Sequence, residues 1–247
     1  MKKRLDVEML ARGIARSRSA AADLIKRGKV TVNGAVITKT SYETALAEAI
    51  SIAEGTAFAS RAGEKLAHAL RAFDVDPKGL VALDIGSSTG GFVDCLLQGG
   101  AAKVVAVDVG KDQLAAALRT DPRIELHEGT DIRDFPARRE VDAPAAPFAD
   151  LVVVDVSFIS LELVLPKAFA LLKPRGRTIA LVKPQFEVGK EIADRFKGII
   201  TDEGERQRAL EKIKALAKRI GFSIIGETAS PIEGEKGNRE FLLLLRK

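Results

Sequence analysis

Seven short apolar runs from residue 80 onward constrain this chain more than any other feature: "LVALDI", "KVVAVDV", "RIELH", "DLVVVDVSF", "RTIALV", "FSIIGE" and "EFLLLL". Each has the length of a strand, and most are too continuously apolar for one face to meet water. Such strands belong to parallel sheets covered on both faces, and the amphipathic helical stretches between most of them supply the cover. The expected fold is α/β, a Rossmann-like and mostly parallel sheet. One connection breaks the pattern. "TASPIEGEKGNR", between the sixth and seventh runs, is too short for a crossover helix, so the last strand is expected to run antiparallel. "PARREVDAPAAP", residues 136–147, reads as an exposed loop before the fourth strand.

The first fifty residues follow another pattern. "LDVEMLAR" carries apolar residues at helical spacing up to Gly13, and "SRSAAADLIKRG" opens on serines that can cap a helix and closes at Gly28. "KVTVNGAVIT" then gives two alternating runs joined through Asn33-Gly34, a strong hairpin signal. Together these make a small α+β domain over residues 1–54, followed by a linker over 55–63 and the large domain over 64–247. Charge separates the two domains as well. The whole chain carries +5, and residues 1–30 hold nine Lys or Arg against Asp6, Glu8 and Asp23, so the surplus sits entirely at the N-terminus. Charge concentrated in this way is the footprint of a polyanion-binding module. Arg4, Arg16, Arg18, Lys26, Arg27 and Lys29 are the candidates to meet RNA phosphates. With one tyrosine and no tryptophan, the chain is expected to read a folded RNA by shape and backbone and not by base stacking.

No apolar stretch approaches the roughly 20 residues that cross a bilayer. "MKKRLDVEMLARG" lacks the apolar core of a secretory signal, so a cytoplasmic protein without membrane contact is expected. A single cysteine, Cys95, and two histidines, His68 and His127, argue against a disulfide or a metal site, and Cys95 reads as a small buried hydrophobe.

The first strand of the large domain runs into "LDIGSSTGGF". A glycine-rich turn there is expected to bring backbone and free N–H groups against a ligand, with Asp84, Gly86, Ser87, Ser88, Gly90 and Gly91 in contact with it. Ser88 stands where a dinucleotide fingerprint needs its second glycine, so a pyrophosphate fits poorly. Asp108, ending the second strand, can accept both hydroxyls of a ribose, and Asp131 in "GTDIRD" can accept an exocyclic amine. A ribose grip and an adenine grip without a phosphate grip describe S-adenosylmethionine.

"LVKPQFE" raises a different question, because a core strand ends there on a cation. Pro184, following Lys183, is expected to bar both the ladder and direct entry into a helix. Ligands in such sheets bind beyond the carboxyl ends of the strands. Lys183 lies at such an end, Asp155 at the end of the preceding strand, and Glu240 reaches the same edge if the last strand is antiparallel. Lys65, in "SRAGEKLAHAL", lies on the helix entering the domain, where sequence alone does not locate it.

These four residues give the large domain a Lys-Asp-Lys-Glu set, in which it resembles the FtsJ-like methyltransferases. "DIGSSTGGFVDCLLQ", "VVAVDVGKDQL", "VDVSFISL" and "LVKPQFE", with "ARSRSAAADLIKRGKVTVNG" similar to an S4 RNA-binding domain, extend the resemblance to nearly the whole chain. The chain looks like the TlyA-type ribosomal RNA 2′-O-methyltransferases, the haemolysin A family. Ala62 before Gly63, and Asp131, depart from that family's usual glycine and asparagine. The resemblance implies S-adenosylmethionine as cofactor and ribosomal RNA or a ribosomal subunit as partner. It further implies a cytidine ribose as target and Lys65, Asp155, Lys183 and Glu240 as the catalytic tetrad. The compact ends of the chain resemble members restricted to large-subunit RNA.

A ribose 2′-hydroxyl is a weak acid, and lysine, titrating ordinarily at about 10.4, acts as a base only where burial or a nearby cation lowers that value. Lys65 beside Lys183 is expected to do so. Lys183 then serves as base or as the cation that stabilises a developing oxyanion, Asp155 orients it, and Lys65 and Glu240 position the hydroxyl. "EVGKEIADRFKGII", residues 187–200, reads as a loop that orders on RNA. The rival readings are a catalytically inactive ribosome assembly factor, a membrane-active haemolysin and a nicotinamide dehydrogenase. The haemolysin would need a long apolar or amphipathic segment, and the dehydrogenase a glycine at Ser88 and a hydride-relay histidine.

Overall fold

The computed structural model describes residues 2–15, 18–26, 28–52, 58–135, 147–234 and 236–247. Arg16, Arg27, the start of the expected linker (55–57) and nearly all of the expected loop (136–146) therefore lie outside the described residues. The chain divides into two compact units, Met1–Ala57 and Phe58–Lys247.

In the first unit, β1 (Lys2–Arg4) leads into α1 (Leu5–Ala11), α2 (Arg18–Lys26), β2 (Val30–Val32), β3 (Ala35–Ile37), β4 (Glu43–Ala45) and β5 (Ile50–Ile52). β1 pairs with β4, and β3, β2 and β5 form a three-stranded antiparallel sheet. Asn33 and Gly34, at φ of 50° and 83°, make the left-handed two-residue turn that matches the twist of a hairpin, with Val32 opposite Ala35. Leu5 and Met9, and likewise Ala21 and Ile25, sit four residues apart on one helical face and close a core against Val30 and Val32.

The second unit runs α3 (Ala62–Ala72), β6 (Val81–Ile85), α4 (Gly91–Gln98), β7 (Lys103–Asp108), α5 (Ala116–Arg119), β8 (Ile124–Glu128) and β9 (Ala149–Val154). It continues through a 3₁₀ turn (Leu161–Leu163) to α6 (Leu165–Leu171), β10 (Leu172–Val182), α7 (Pro184–Glu187), α8 (Lys190–Arg195), α9 (Glu203–Ile220), β11 (Ser223–Ala229) and β12 (Phe241–Arg246). The seven strands lie in the order β11-β12-β10-β9-β6-β7-β8. All neighbours are parallel except β12, which runs antiparallel to both β10 and β11. The period of two explains the unbroken apolar runs. Leu83, Val152 and Val182 face a core built with α6 and α9, while Ala82, Val153 and Leu181 face one built with α3 and α4. Burial of each large side chain contributes roughly 1.5–3 kcal/mol.

Two expectations are corrected. Pro184 does not bar entry into a helix, because it occupies the first helical position of α7, where its missing N–H is not needed. The restriction falls on Lys183, which stays extended at φ −109° and ψ 100°. Residues 187–200, expected as a loop, contain α8.

The chain leaves β6 toward β7 and β8, then returns to build β9 and β10 on the other side. The crevice between β6 and β9, at their carboxyl ends, is the topological switch point where such sheets bind ligands.

Candidate active site

Four strands bring chemistry to that one edge. Gly86 follows β6, Asp108 ends β7, Asp155 follows β9 and Lys183 follows β10. The register Val182↔Phe241 carries Glu240, at the start of β12, to the same edge. Lys65 stands in the first turn of α3 and reaches it from above the sheet.

The charges meet in two pairs. Lys183 Nζ lies 2.6 Å from Asp155 Oδ1, with both side chains nearly buried. The contact is electrostatic, since Asp155 Oδ1 accepts no aligned hydrogen bond among the described residues. One Lys183 N–H instead goes to Ser157 Oγ at 2.9 Å. Lys65 pairs with the Glu240 carboxylate, and these two side chains are only 10% and 2% exposed. The expected grouping of Lys65 with Lys183 thus takes another form, in which each lysine has its own carboxylate.

The glycine-rich turn forms the floor of a pocket that runs from Gly86–Thr89 past Ser60 and Ala62 to Asp155, Ser157 and Lys183. Gly86, at φ 87°, lies so close to Asp155 that an added Cβ would meet the Asp155 carbonyl oxygen at 2.5 Å, and one at Gly91 would meet the Gly63 nitrogen at 2.9 Å. The turn's N–H groups were expected to point at the ligand. Most are turned inward: Gly86 and Ser87 donate to the Val107 carbonyl, Gly90 to the Ser87 carbonyl and Ser88 to Asp108. A floor of this kind accepts a close neutral surface and offers little to a phosphate.

Asp108 accepts from Ser88 N at 2.8 Å and Gly110 N at 2.6 Å, which fixes its carboxylate at the end of β7 with lone pairs left for hydroxyl donors. Asp131 is engaged by the Arg133 guanidinium at 2.6 Å, which holds its carboxyl below the usual range. Asp84 is fully buried beneath the turn, and neither of its oxygens accepts a well-formed hydrogen bond. Burial raises its carboxyl well above the usual range, helped by the negative charges of Asp155 and Asp108. A glycine floor that admits close approach, with the Asp108 carboxylate held next to it by Ser88 at the end of β7, fits an adenosyl and amino-acid ligand such as S-adenosylmethionine.

In the first unit Arg4 and Arg18 converge on Asp6, whereas Lys26 is exposed and Lys29 half-buried.

Among the residues that sequence reasoning missed are Ser157, which lines the pocket, and Phe158, Glu187 and Asn238, close in sequence to Asp155, Lys183 and Glu240. Ser157 holds Lys183. Phe158 stands 91% exposed at φ 65°, and its ring centre lies 5.4 Å from that of Phe186, which in turn lies 5.9 Å from Lys183 Nζ. Glu187, raised by burial, accepts from Ser160 Oγ at 2.5 Å and Leu161 N at 2.9 Å, tying α7 to the segment after β9. Asn238 accepts from Ile200 N and donates to the Gly198 carbonyl, each at 2.8 Å, pinning the chain before Glu240. The available signal was "VSFISL", polar and aromatic residues directly past a strand end that carries an acid.

A family model described as FtsJ-like methyltransferase matches residues 58–247, and one described as S4 domain matches residues 3–44. The chain is 40% identical over 245 residues to the 16S/23S rRNA (cytidine-2′-O)-methyltransferase TlyA of Mycobacterium tuberculosis, covering 98% of this chain and 89% of the relative. It is also 40% identical over 240 residues to Hemolysin A of Brachyspira hyodysenteriae, covering 97% and 98%. Among solved structures, a Streptococcus thermophilus protein described as a hemolysin is 37% identical with a TM-score of 0.75, covering 100% of this chain and 88% of that one.

Proposed function

The chain belongs to the FtsJ-like methyltransferases, with an S4 domain preceding the catalytic unit in sequence, and on that premise we propose that it methylates a cytidine ribose 2′-hydroxyl of ribosomal RNA. S-adenosylmethionine, when bound, supplies an electrophilic methyl group on a sulfonium. Asp108, held at the end of β7 by Ser88 N, would accept hydrogen bonds from the adenosine ribose, and the glycine floor from Gly86 to Gly91 would let the ligand approach the backbone. Lys183, the cation at the strand end, faces the reacting 2′-oxygen. The hydroxyl proton has to leave as the oxygen gains the methyl group and the sulfur departs as a neutral thioether; Lys183 Nζ, held by Ser157 and having given a proton to solvent, would take it. Asp155 keeps that nitrogen in place. The buried Lys65–Glu240 pair holds the neighbouring wall against which the ribose is oriented. Phe158 offers an exposed ring to the target base, a stacking contact at a site otherwise read by shape.

The observation that carries this proposal is the joining of two lysine–carboxylate pairs to a phosphate-averse glycine floor on one sheet edge. The basic first unit holds the RNA, and the expected compartment is the cytoplasm, where the substrate lies. Among the described residues no helix is long and apolar enough to cross a membrane, so a lytic reading finds no spanning segment there. The test is transfer of labelled methyl from S-adenosylmethionine to 70S ribosomes, isolated subunits and free rRNA from a strain lacking the enzyme. Incorporation into one of these supports the proposal and identifies the subunit. Binding of cofactor and RNA without incorporation favours the assembly-factor reading.

A further inference from the structure

Two buried acids on α1 hold four basic side chains of the first unit, and they hold them differently. Glu8, 2% exposed, pairs with Arg12 at 2.9 Å and Lys3 at 3.8 Å. Arg12 uses four of its five N–H groups: beside Nε on Glu8, its Nη1 donates to the Glu48 carbonyl, and its Nη2 to the carbonyls of Ala45 and Leu46. An arginine that knits secondary structure looks like that. Asp6, 4% exposed, takes Arg4 Nε on Oδ1 at 3.0 Å, Arg4 Nη2 on Oδ2 at 3.1 Å and Arg18 Nη2 on Oδ2 at 3.2 Å. Among the described residues neither Arg4 nor Arg18 donates to any other acceptor, and their side chains are 49% and 58% exposed. Two guanidiniums are thus fixed by one carboxylate, and Arg4 Nη1 and Arg18 Nη1 make no hydrogen bond among the described residues.

We propose that Asp6 is a positioning residue that holds Arg4 and Arg18 together as a clamp for a single RNA phosphate, an inference resting on the RNA-methylating function proposed above. Unpaired, two arginines repel each other and each loses side-chain freedom on binding. Held on Asp6, they meet the phosphate with that freedom already surrendered, and a guanidinium's planar fork suits a tetrahedral oxyanion. The carboxylate lowers the local charge from +2 to about +1, which by long-range attraction alone weakens RNA binding. Positioning and bulk electrostatics therefore predict opposite signs for its removal.

The experiment compares the intact chain with D6N, a near-isosteric change that removes the charge and turns one accepting oxygen into an N–H donor, for binding to a mixture of 30S and 50S subunits from a strain lacking the enzyme. Affinity is measured across a salt series, and melting temperature is followed in parallel. The clamp predicts that D6N binds about five- to tenfold more weakly despite its greater positive charge, with a shallower salt dependence. Equal or tighter binding by D6N overturns it. If D6N fails to fold, the single R4A and R18A variants and their double decide. A shared phosphate makes the second loss smaller than the first, and strict additivity overturns the clamp. A parent chain that binds neither subunit overturns the RNA function itself, and the clamp with it.

Discussion

Lys183 Nζ lies 2.6 Å from Asp155 Oδ1 across the ends of two neighbouring parallel strands, β10 and β9. Neither strand needs a charge at that position to fold. Their residues Val154 and Val182 are wholly buried, and the polar residues begin where the sheet stops. The pair belongs to the pocket, and its proposed task is to meet the 2′-oxygen.

Lys183→Ala should reduce methyl transfer by at least about 10²- to 10³-fold, within the contribution typical of a positioned proton acceptor. Calorimetric titration with S-adenosylmethionine should give nearly unchanged affinity, because the proposed cofactor contacts lie on the glycine floor and Asp108. Turnover close to that of the parent would remove Lys183 from the reaction.

The Lys65–Glu240 pair should behave differently, since it is almost fully buried. Removing one partner leaves a stranded charge, so Lys65→Ala or Glu240→Ala should lower stability by about 3–5 kcal/mol in denaturant unfolding. A double Lys65→Met, Glu240→Leu variant should recover most of that stability but not the activity. Recovery of both would make the pair purely structural.

The two pairs also mark how much of the site was legible in the sequence. Asp155 and Lys183 could be located because each directly follows an unbroken apolar run, and strand ends in a parallel sheet are where ligands bind. Glu240 followed from the shortness of the connection before β12, which forces an antiparallel return. Lys65 could not be located, because a helix position says nothing about which part of the sheet edge the helix covers. Pro184 misled for a physical reason: proline opposes a helix interior but suits its first position. The inward turn of the Gly86, Ser87 and Ser88 amides depends on the Val107 carbonyl and the Asp108 carboxylate one strand away, partners that no local pattern reveals.

Asp84 should govern part of the pH dependence of stability. Its folded carboxyl is raised, by burial first, so between its ordinary value of 3.8 and its folded value the native state binds more protons than the unfolded state. Stability contributed by this group is intact below 3.8 and falls as pH rises through that window. Asp84→Asn should remove this slope and raise the melting temperature at neutral pH, while weakening S-adenosylmethionine binding. A melting temperature lower than the parent's at every pH would contradict the assignment of a raised carboxyl.

Phe158 combines exposure with a backbone that a bulky side chain rarely adopts, a strain of about 1–3 kcal/mol. Phe158→Gly should therefore leave the melting temperature equal or higher. If the ring stacks on the target base, the same change should lower kcat/KM for RNA by about tenfold, within the range of base–aromatic stacking. An unchanged kcat/KM would leave the exposed ring unexplained.

The central claim is methyl transfer to a ribose oxygen, and it is tested most directly on the product. Ribosomes from a strain lacking the enzyme would be incubated with the chain and S-adenosylmethionine, and their RNA hydrolysed in alkali, which cannot cleave beside a 2′-O-methylated ribose. One new alkali-resistant linkage, at a cytidine and absent with Lys183→Ala, is the predicted result. Methylation on a base, or none by a chain that still binds cofactor and ribosome, would contradict it.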